Sequence, residues 1–205
     1  MELSLPNLAA IAARQAYRDE IARAVTRDGV IKQVDRHVVE FYGSKDPYGS
    51  WFSNLCGGAF MIDGTRYTTS EQYYQIQKFI MPEDDPAIYA HCREHNTDPR
   101  TVLAALREHR EKMMRLNGMF VARAGRTRQL PMRSDWDDAR YVAMWTALVA
   151  KFMQNDAHRE RLLGTGDAVL IERSPRDAFW GCVPRSGGEN VLGRMLMDLR
   201  ARLAV

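Results

Sequence analysis

The segment Tyr67–Phe79 contains the polar side chains that are best spaced for chemistry. Four of them recur at intervals of three and four residues, so they would share one face of a helix. They are Glu71, Tyr74, Gln75 and Lys78. The helix dipole favours an ionised carboxylate in the first turn, whereas burial against aromatic rings raises a carboxyl pKa toward that of a general acid. The pattern also fits an exposed capping Glu71 that pairs through Gln75 with Lys78.

A second group of residues combines aromatic rings with short polar side chains. It consists of Phe41, Tyr42, Trp51, Phe52, Ser53 and Asn54. Rings beside Ser and Asn can stack on a nucleobase and hydrogen-bond its edge, and such stacking is worth ~1–3 kcal/mol per base. The alternative is that these rings pack beneath a sheet as part of the core.

A third group of residues surrounds a Gly-Gly turn near the C-terminus. It consists of Asp177, Trp180, Gly181, Gly187, Gly188 and Asn190. A Gly-Gly turn that leads into a helix presents backbone N–H groups that can bind phosphate. The alternative is an ordinary loop in which Asn190 is the N-cap of the last helix.

Residues 91–95 read H-C-R-E-H and fit an inverted zinc-peptidase motif, with Glu172 downstream. A motif of five residues often occurs by chance, and this one lies in an acidic insertion. We therefore expect no metal site. We expect Cys92 and Cys182 to pack as small hydrophobic side chains.

The composition indicates a globular chain without membrane spans. Its 205 residues are 45% hydrophobic and 27% charged, which suffices for one domain that folds without disulfides or structural metal. Three distant cysteines are typical of a reducing compartment, and no run reaches the ~18 apolar residues of a membrane span. The N-terminus lacks the basic and apolar regions of a signal peptide. These features predict a cytoplasmic protein.

The net charge of +3 is unevenly distributed. The segment from Arg107 to Arg133 contains eight basic residues and two acidic ones. Such a segment can attract phosphate groups, although a solvated helix face has the same composition.

The hydrophobic periodicity predicts a mostly helical α+β domain packed on a small antiparallel sheet. The predicted helices are Leu8–Val25, Glu71–Phe79, Pro99–Leu116, Trp136–Met153 and Asp156–Leu163, with a last helix after Gly188. The predicted strands are Val30–Val34, Val38–Tyr42, Ala59–Ile62, Arg66–Thr68 and Ala168–Glu172.

Local turn and cap residues set several of these boundaries. Asp63-Gly64 predicts a tight hairpin turn, and Thr68-x-x-Glu71 fits a capping box. Asp98 and Asp135 fit N-caps. The helix after Asp135 has five residues on its expected buried side: Val142, Trp145, Leu148, Val149 and Phe152.

Taken in order, these motifs resemble the NADAR family, named for NAD and ADP-ribose. The matches are collinear from Phe41 to Leu203 and include FYGS, WFSNL, IDG-x-x-YTTSEQYYQ-x-QKF, AGR, D-x-x-WG and G-x-N-x-LG-x-x-LM. Two regions depart from the compact family pattern, an N-terminal helical extension (1–38) and a helical insertion (82–118). The histidine that commonly follows the helix glutamate in the family is Gln72 here.

The resemblance implies a NADAR-like catalytic domain over residues 39–205 and a metal-independent N-glycosidase without a cofactor. Two substrate classes are proposed for the family, ADP-ribose on guanine bases and phosphoribosylated intermediates of riboflavin synthesis. The basic segment and the insertion favour removal of ADP-ribose from DNA or RNA. The riboflavin intermediates, a non-catalytic ADP-ribose-binding module and a nucleic-acid-binding protein are the alternatives. No membrane partner is expected.

Residue roles follow from the same resemblance. We expect Glu71 to be the acid/base, and Asp177 to be its partner or to stabilise oxocarbenium-like charge. Lys78 would trap the ring-opened ribose as a Schiff base, or would be a surface lysine or a phosphate clamp. The expected substrate-binding residues are Tyr42, Phe52, Ser53, Asn54, Tyr74, Arg126, Trp180, Gly181, Gly188 and Asn190.

Overall fold

The computed structural model describes residues 37–204, and within them it contains both helices and short strands. The predicted helix Leu8–Val25, the strand Val30–Val34 and nearly all of the 1–38 extension lie outside the described residues. The α+β class is confirmed by this content. None of the described helices combines the length and the apolar composition that a membrane span requires.

The elements follow the chain in an irregular alternation. The helices are α1 (Gly49–Phe52), α2 (Ser70–Gln77), α3 (Pro86–His95), α4 (Pro99–Met114), α5 (Gly118–Ala124), α6 (Trp136–Gln154), α7 (Asp156–Leu163) and α8 (Val191–Leu203). The strands are β1 (Val38–Phe41), β2 (Phe60–Ile62), β3 (Thr65–Tyr67) and β4 (Val169–Glu172).

The chain divides into two compact units. Of the described residues, 37–56 together with 152–204 belong to the first, which we call the discontinuous unit. Residues 57–151 form the second, the central unit.

A parallel strand pair lies at the centre of the discontinuous unit. Strand β1 pairs with β4 in register from Val38–Val169 to Phe41–Glu172. The prediction of an antiparallel sheet is wrong for this pair, and the long segment between the two strands allows the crossover connection that parallel strands require. Every residue of β4 is buried, and α8 packs against it. Gly193 permits the close approach of α8, because a Cβ there would overlap the Leu170 carbonyl.

The central unit starts with the predicted hairpin. Strands β2 and β3 are antiparallel, and Asp63 and Gly64 between them both have positive φ, of 48° and 73°. A turn with two such residues matches the twist of a hairpin. Helix α2 follows, packed against α4 and α5. Its core side chains join those of the insertion helices in one apolar cluster that includes Ile76, Phe79 and Leu106.

The first turn of α2 differs from its prediction by one residue. The N-cap is Thr69, whose hydroxyl accepts the Gln72 N–H at 3.1 Å. Gln72 Oε1 in turn accepts the Thr68 N–H at 2.8 Å. The capping box Thr68–Glu71 is therefore wrong, and the Glu71 carboxylate is not used for capping.

The predicted cap of α4 agrees with the structure, whereas the predicted cap of α6 and the predicted burial of one α6 residue do not. The Asp98 carboxylate caps α4 by accepting the Arg100 and Thr101 N–H groups. At the start of α6, the Asp135 carbonyl accepts the N–H groups of Asp138 and Ala139. The Asp135 carboxylate does not cap the helix and instead accepts a hydrogen bond from Arg133 at 2.9 Å. On α6, Val142 is 40% exposed and not buried as predicted, because it lies at the edge of the apolar stripe.

Candidate active site

Helix α2 holds Glu71 and Gln75 side by side in the central unit. Gln75 Nε2 donates to Glu71 Oε1 at 2.7 Å, across one helical turn. Gln75 is buried and Glu71 is partly buried. The amide therefore fixes the direction of the carboxylate, and Gln75 does not bridge Glu71 to Lys78 on an exposed face.

Gly125 provides the space for the Gln75 amide. This glycine ends helix α5, and a Cβ added to it would overlap the Gln75 side chain. Its φ of −69° is one that any residue adopts, so glycine is needed for space and not for backbone conformation. The sequence placed Gln75 on the same helix face as Glu71 but gave it no role in the expected site. Gly125 had no expected role either, since its effect depends on a contact between two helices.

Lys78 lies at the C-terminal end of α2 beside two aromatic rings. Its Nζ donates to the Gly125 carbonyl at 3.3 Å and lies 5.5 Å from the Tyr74 ring centre and 5.7 Å from that of Trp136. Burial lowers the pKa of Lys78, the charge of Glu71 opposes this, and the charge of Arg126 adds to the lowering. A lysine with a lowered pKa has a larger fraction of neutral, nucleophilic amine.

The central unit thus brings together four predicted site residues, Glu71, Tyr74, Lys78 and Arg126. Arg126 is exposed, and its effect on Lys78 shows that its charge acts at the amine. Trp136 joins them, with its ring 5.0 Å from that of Tyr74. Trp136 is at the start of α6 and was not among the expected site residues.

Gln72 replaces the family histidine and has a structural position. It is fully buried, and its Nε2 donates to the carbonyls of Met113, Met114 and Leu116 at 3.2, 3.0 and 2.7 Å. These carbonyls lie at the C-terminal end of α4, where the donors of a following helical turn are missing, although Met113 O also accepts backbone N–H groups of residues 115 and 116. Gln72 therefore anchors the first turn of α2, which carries Glu71, to the insertion.

Asp177 lies in the discontinuous unit and shapes a turn. Its Oδ1 accepts the N–H groups of Phe179 and Trp180 at 3.0 and 2.9 Å, and its own N–H donates to Ser174 Oγ at 3.0 Å. Asp177 is exposed, and Trp180 is partly exposed after the turn. The carboxylate therefore orients Trp180.

The glycines of this turn do not form the expected phosphate cradle. The N–H groups of Glu189 and Asn190 donate to the carbonyls of Ala178 and Gly181 at 2.6 and 3.2 Å. The next two N–H groups of the helix start are paired likewise with residues 179 and 180. Gly188 is required because a Cβ would overlap the carbonyls of Ala178 and Gly181. The prediction of unpaired N–H groups near Gly188 is wrong, since neighbouring backbone uses them.

Gly181 and Asn190 support strand β4. A Cβ on Gly181 would overlap the Glu172 carbonyl. Asn190 is fully buried, its Nδ2 donates to Leu170 O at 2.8 Å, and its Oδ1 accepts the Glu172 N–H at 2.9 Å. Asn190 has no side-chain capping bond, and its amide is occupied by the strand. In this structure it braces α8 to β4.

The aromatic residues of the second group separate into core and surface. Phe52 has no exposed area and lies 5.6 Å from Phe41 and 6.3 Å from Phe152, measured between ring centres. Its expected stacking on substrate is therefore not possible in this structure, and the core alternative holds for it. Tyr42 is 42% exposed, so its ring is accessible.

Ser53 and Asn54 are both buried at the end of α1. Ser53 Oγ accepts the Leu55 N–H at 3.3 Å. Asn54 Oδ1 has no hydrogen-bond partner among residues 37–204. A buried acceptor without a partner costs about 1–3 kcal/mol, so Asn54 is well suited to accept a hydrogen bond from a ligand.

The zinc-peptidase motif lies on α3. The rings of His91 and His95 stack 4.1 Å apart, and His95 Nδ1 lies 3.1 Å from the His91 carbonyl. Nowhere in the described chain do three His, Cys, Asp or Glu side chains form a group that could hold a metal. Cys182 is buried, which raises the pKa of its thiol to about 11, so the thiol is protonated at neutral pH.

Known proteins are similar in sequence to this chain over most of its length. The NADAR domain profile matches residues 40–204. The chain is 35% identical to N-glycosidase YbiA of Escherichia coli over 169 residues, 82% of this chain and 89% of that protein. It is 36% identical to an N-glycosidase of Nostoc punctiforme over 165 residues, 80% of this chain and 92% of that protein.

Two further similarities concern structure and pathway. The NMR structure of E. coli YbiA superposes with a TM-score of 0.64 at 33% identity and covers 89% of this chain and 92% of that one. A chloroplastic riboflavin biosynthesis protein of maize, PYRR, is 30% identical over 185 residues, which are 86% of this chain but 27% of that protein.

Proposed function

The chain belongs to the NADAR domain family, and from this membership we propose that it is an N-glycosidase that removes ADP-ribose from guanine bases of nucleic acid. The names of its relatives support hydrolysis of an N-glycosidic bond. The observation that carries the proposal is that α2 presents both groups the reaction needs. Gln75 orients the carboxylate of Glu71, and Lys78, at the end of the helix, has a lowered pKa beside two aromatic rings.

Glu71 is proposed as the proton donor and acceptor. Cleavage of the bond between the ribose C1 and a base nitrogen requires protonation of that nitrogen, and a positioned carboxyl group contributes ~10²–10⁴ in rate. The hydrogen bond from Gln75 to Glu71 Oε1 fixes the direction of the carboxylate, as a positioned proton donor requires. The reaction consumes one water, releases ADP-ribose and leaves an unmodified guanine in the nucleic acid.

Lys78 is proposed as the nucleophile. Its neutral amine attacks C1 of the ribose while the bond from C1 to the base nitrogen breaks and Glu71 protonates the leaving nitrogen. The C1–O4′ bond of the resulting ribosylamine then breaks, the ring oxygen takes the proton from the amine, and the Schiff base forms. Water then hydrolyses the Schiff base and regenerates the amine. Burial lowers the pKa of Lys78 and so favours the neutral amine, although the Tyr74 and Trp136 rings beside Nζ can also attract the ammonium form.

The remaining predicted residues are proposed as substrate contacts. Arg126 would bind the diphosphate, since an exposed guanidinium can form two parallel hydrogen bonds to phosphate oxygens. Asn54 Oδ1 would accept a hydrogen bond from a ribose hydroxyl. Tyr42 and Trp180 would stack on adenine or guanine. Asp177 would stabilise positive charge at the ribose through its second oxygen.

A second candidate is hydrolysis of phosphoribosylated riboflavin-pathway intermediates. It is favoured by the relatives named as riboflavin biosynthesis proteins of maize and Vibrio vulnificus. These substrates share a ribose phosphate bonded to nitrogen, so the same Glu71 and Lys78 chemistry applies. A non-catalytic ADP-ribose-binding module is the third candidate.

The test compares two substrates, guanine-ADP-ribosylated DNA and the phosphoribosylated pyrimidine intermediate. We expect release of ADP-ribose from the DNA, a loss of at least ~10²-fold in Glu71→Gln, and no effect of a chelator. Glu108→Gln, an exposed acid on α4, is the matched control. Borohydride should trap ADP-ribose on the wild type and not on Lys78→Met.

Other outcomes would redirect the proposal. Cleavage of the pyrimidine intermediate alone would assign the second candidate. Tight ADP-ribose binding that survives Glu71→Gln, without turnover of either substrate, would assign the binding module. Loss of activity with a chelator would contradict a metal-independent reaction.

A further inference from the structure

Helix α5 presents an apolar pair to solvent. Met119 is 75% exposed and Phe120 is 70% exposed, more than any other large hydrophobic side chain of residues 37–204. The next two residues, Val121 and Ala122, are buried, and α5 packs on α2. The first turn of α5 therefore exposes apolar side chains to solvent, although the helix already packs on α2 through its opposite side.

Exposed arginines surround this pair. Arg115 precedes it, Arg123 follows Phe120 by three residues on the same helix face, and Arg126 and Arg128 come after the helix. No Asp or Glu occurs from residue 112 to residue 134. Aromatic rings among cations match single-stranded nucleic acid, whose bases stack on rings and whose phosphates bind arginine. A purely apolar protein partner would leave these charges without complementary groups.

The pair lies close to the proposed reaction centre. Helix α5 ends at Gly125, whose carbonyl accepts the hydrogen bond from Lys78, and Arg126 follows. Gly125 follows Phe120 by five positions, and at 1.5 Å per residue these five steps span roughly 7.5 Å along the helix. Neighbouring bases of a strand are separated by roughly 3.4 Å. A base in reach of Lys78 thus places the next one or two nucleotides at the apolar pair.

We infer that Met119, Phe120 and Arg123, which we call the α5 platform, bind the nucleotides next to the modified guanine of a single-stranded nucleic acid. Phe120 stacks on a base, Met119 covers its edge, and Arg123 contacts a phosphate. This inference rests on the proposed function. It implies that the preferred substrate is an ADP-ribosylated polynucleotide and not a single nucleoside.

The test measures cleavage of two substrates by wild type and by Met119→Ala/Phe120→Ala. On an ADP-ribosylated single-stranded oligonucleotide, we expect kcat/KM to fall roughly 5- to 150-fold in the double variant, mainly through KM. On ADP-ribosylated guanosine, which has no neighbouring nucleotide, we expect no change. Tyr89→Ala, a 44% exposed aromatic residue on α3, is the matched control and should leave both values unchanged.

Binding of an unmodified single-stranded oligonucleotide, followed by fluorescence anisotropy, tests the platform apart from catalysis. We expect weaker binding in the double variant, and a shallower dependence of affinity on salt in Arg123→Gln. Equal binding and equal oligonucleotide cleavage would overturn the inference, as would an equal loss on the nucleoside. If the wild type cleaves neither substrate, the proposed function fails, and the anisotropy result alone decides about the platform.

Discussion

At the scale of single residues, the orientation of Glu71 depends on the amide of Gln75 and on the lack of a side chain at Gly125. Gln75 donates to the carboxylate, and Gly125 leaves room for the Gln75 amide. Such contacts cannot be predicted from the spacing within α2, because Gly125 belongs to a different helix. The spacing correctly grouped Glu71, Gln75 and Lys78 on one face, but it did not specify their partners.

Gly125→Ala should therefore reduce activity by displacing the Gln75 amide from Glu71. We expect kcat to fall about tenfold, since one hydrogen bond of about 1.5–3 kcal/mol to a charged group is disturbed. Steady-state kinetics on the cleaved substrate measure this loss.

The control is the same substitution in a Gln75→Ala background. In Gln75→Ala the amide is gone but the Cβ of residue 75, 2.9 Å from the added Cβ, remains. Gly125→Ala should therefore still lower the free energy of unfolding, but it should lower kcat less than in the wild-type background. Equal effects of Gly125→Ala in both backgrounds would contradict the role given to Gln75.

Arg126→Gln should shift the acid limb of the pH–rate profile to higher pH. The pKa of Lys78 is lowered by burial and further by the charge of Arg126. Removing this charge raises the pKa, so a smaller fraction of amine is neutral at a given pH, and kcat at saturating substrate falls on the acid side. The measurement is kcat against pH.

Two variants separate charge from other effects of that change. Arg126→Lys keeps the charge and should keep the acid limb in place, although it weakens bidentate phosphate binding and raises KM. Arg128→Gln removes an exposed charge two residues further on and should leave the limb unchanged. An unshifted limb in Arg126→Gln would show that Lys78 does not set it.

At the scale of elements, Gln72 connects α2 to the C-terminal end of α4. Gln72→Ala should lower the free energy of unfolding by about 1–3 kcal/mol, because the carbonyls of Met113, Met114 and Leu116 lose the Gln72 amide as a donor. It should also lower kcat by loosening the turn that carries Glu71. Urea denaturation measures the first effect.

Gln77→Ala, on the last turn of α2, is the control and should change stability by less than about 0.5 kcal/mol. Gln72→His restores the family residue and should recover part of the loss through its ring N–H. If Gln72→Ala unfolds at the same urea concentration as wild type, the anchor is not a stabilising one.

Two elements with local causes agree with their sequence predictions, although the capping box Thr68–Glu71 does not. The hairpin follows from Asp63-Gly64, and α4 follows from Asp98, whose carboxylate caps it. Roles with distant causes were not predictable. Asn190 was interpreted as a cap or a ribose ligand, yet it binds strand β4, and Phe52 became core through rings more than ten residues away in sequence.

At the scale of the whole molecule, the two compact units contain different parts of the proposed chemistry. The central unit holds Glu71, Lys78 and Arg126, and the discontinuous unit holds Asp177 and Trp180. The sequence motifs of the family run through both units, which explains why the profile match covers residues 40–204 without interruption.

The parallel pairing of β1 with β4 also has a consequence for synthesis on the ribosome. Strand β1 emerges first, but its partner at Val169–Glu172 is translated more than a hundred residues later. At about 5–20 residues per second, the nascent strand waits for roughly 10 s with unpaired backbone groups. The central unit is fully translated within that interval. Early exposure of β1 thus makes the nascent chain a candidate client for chaperones that bind extended apolar segments.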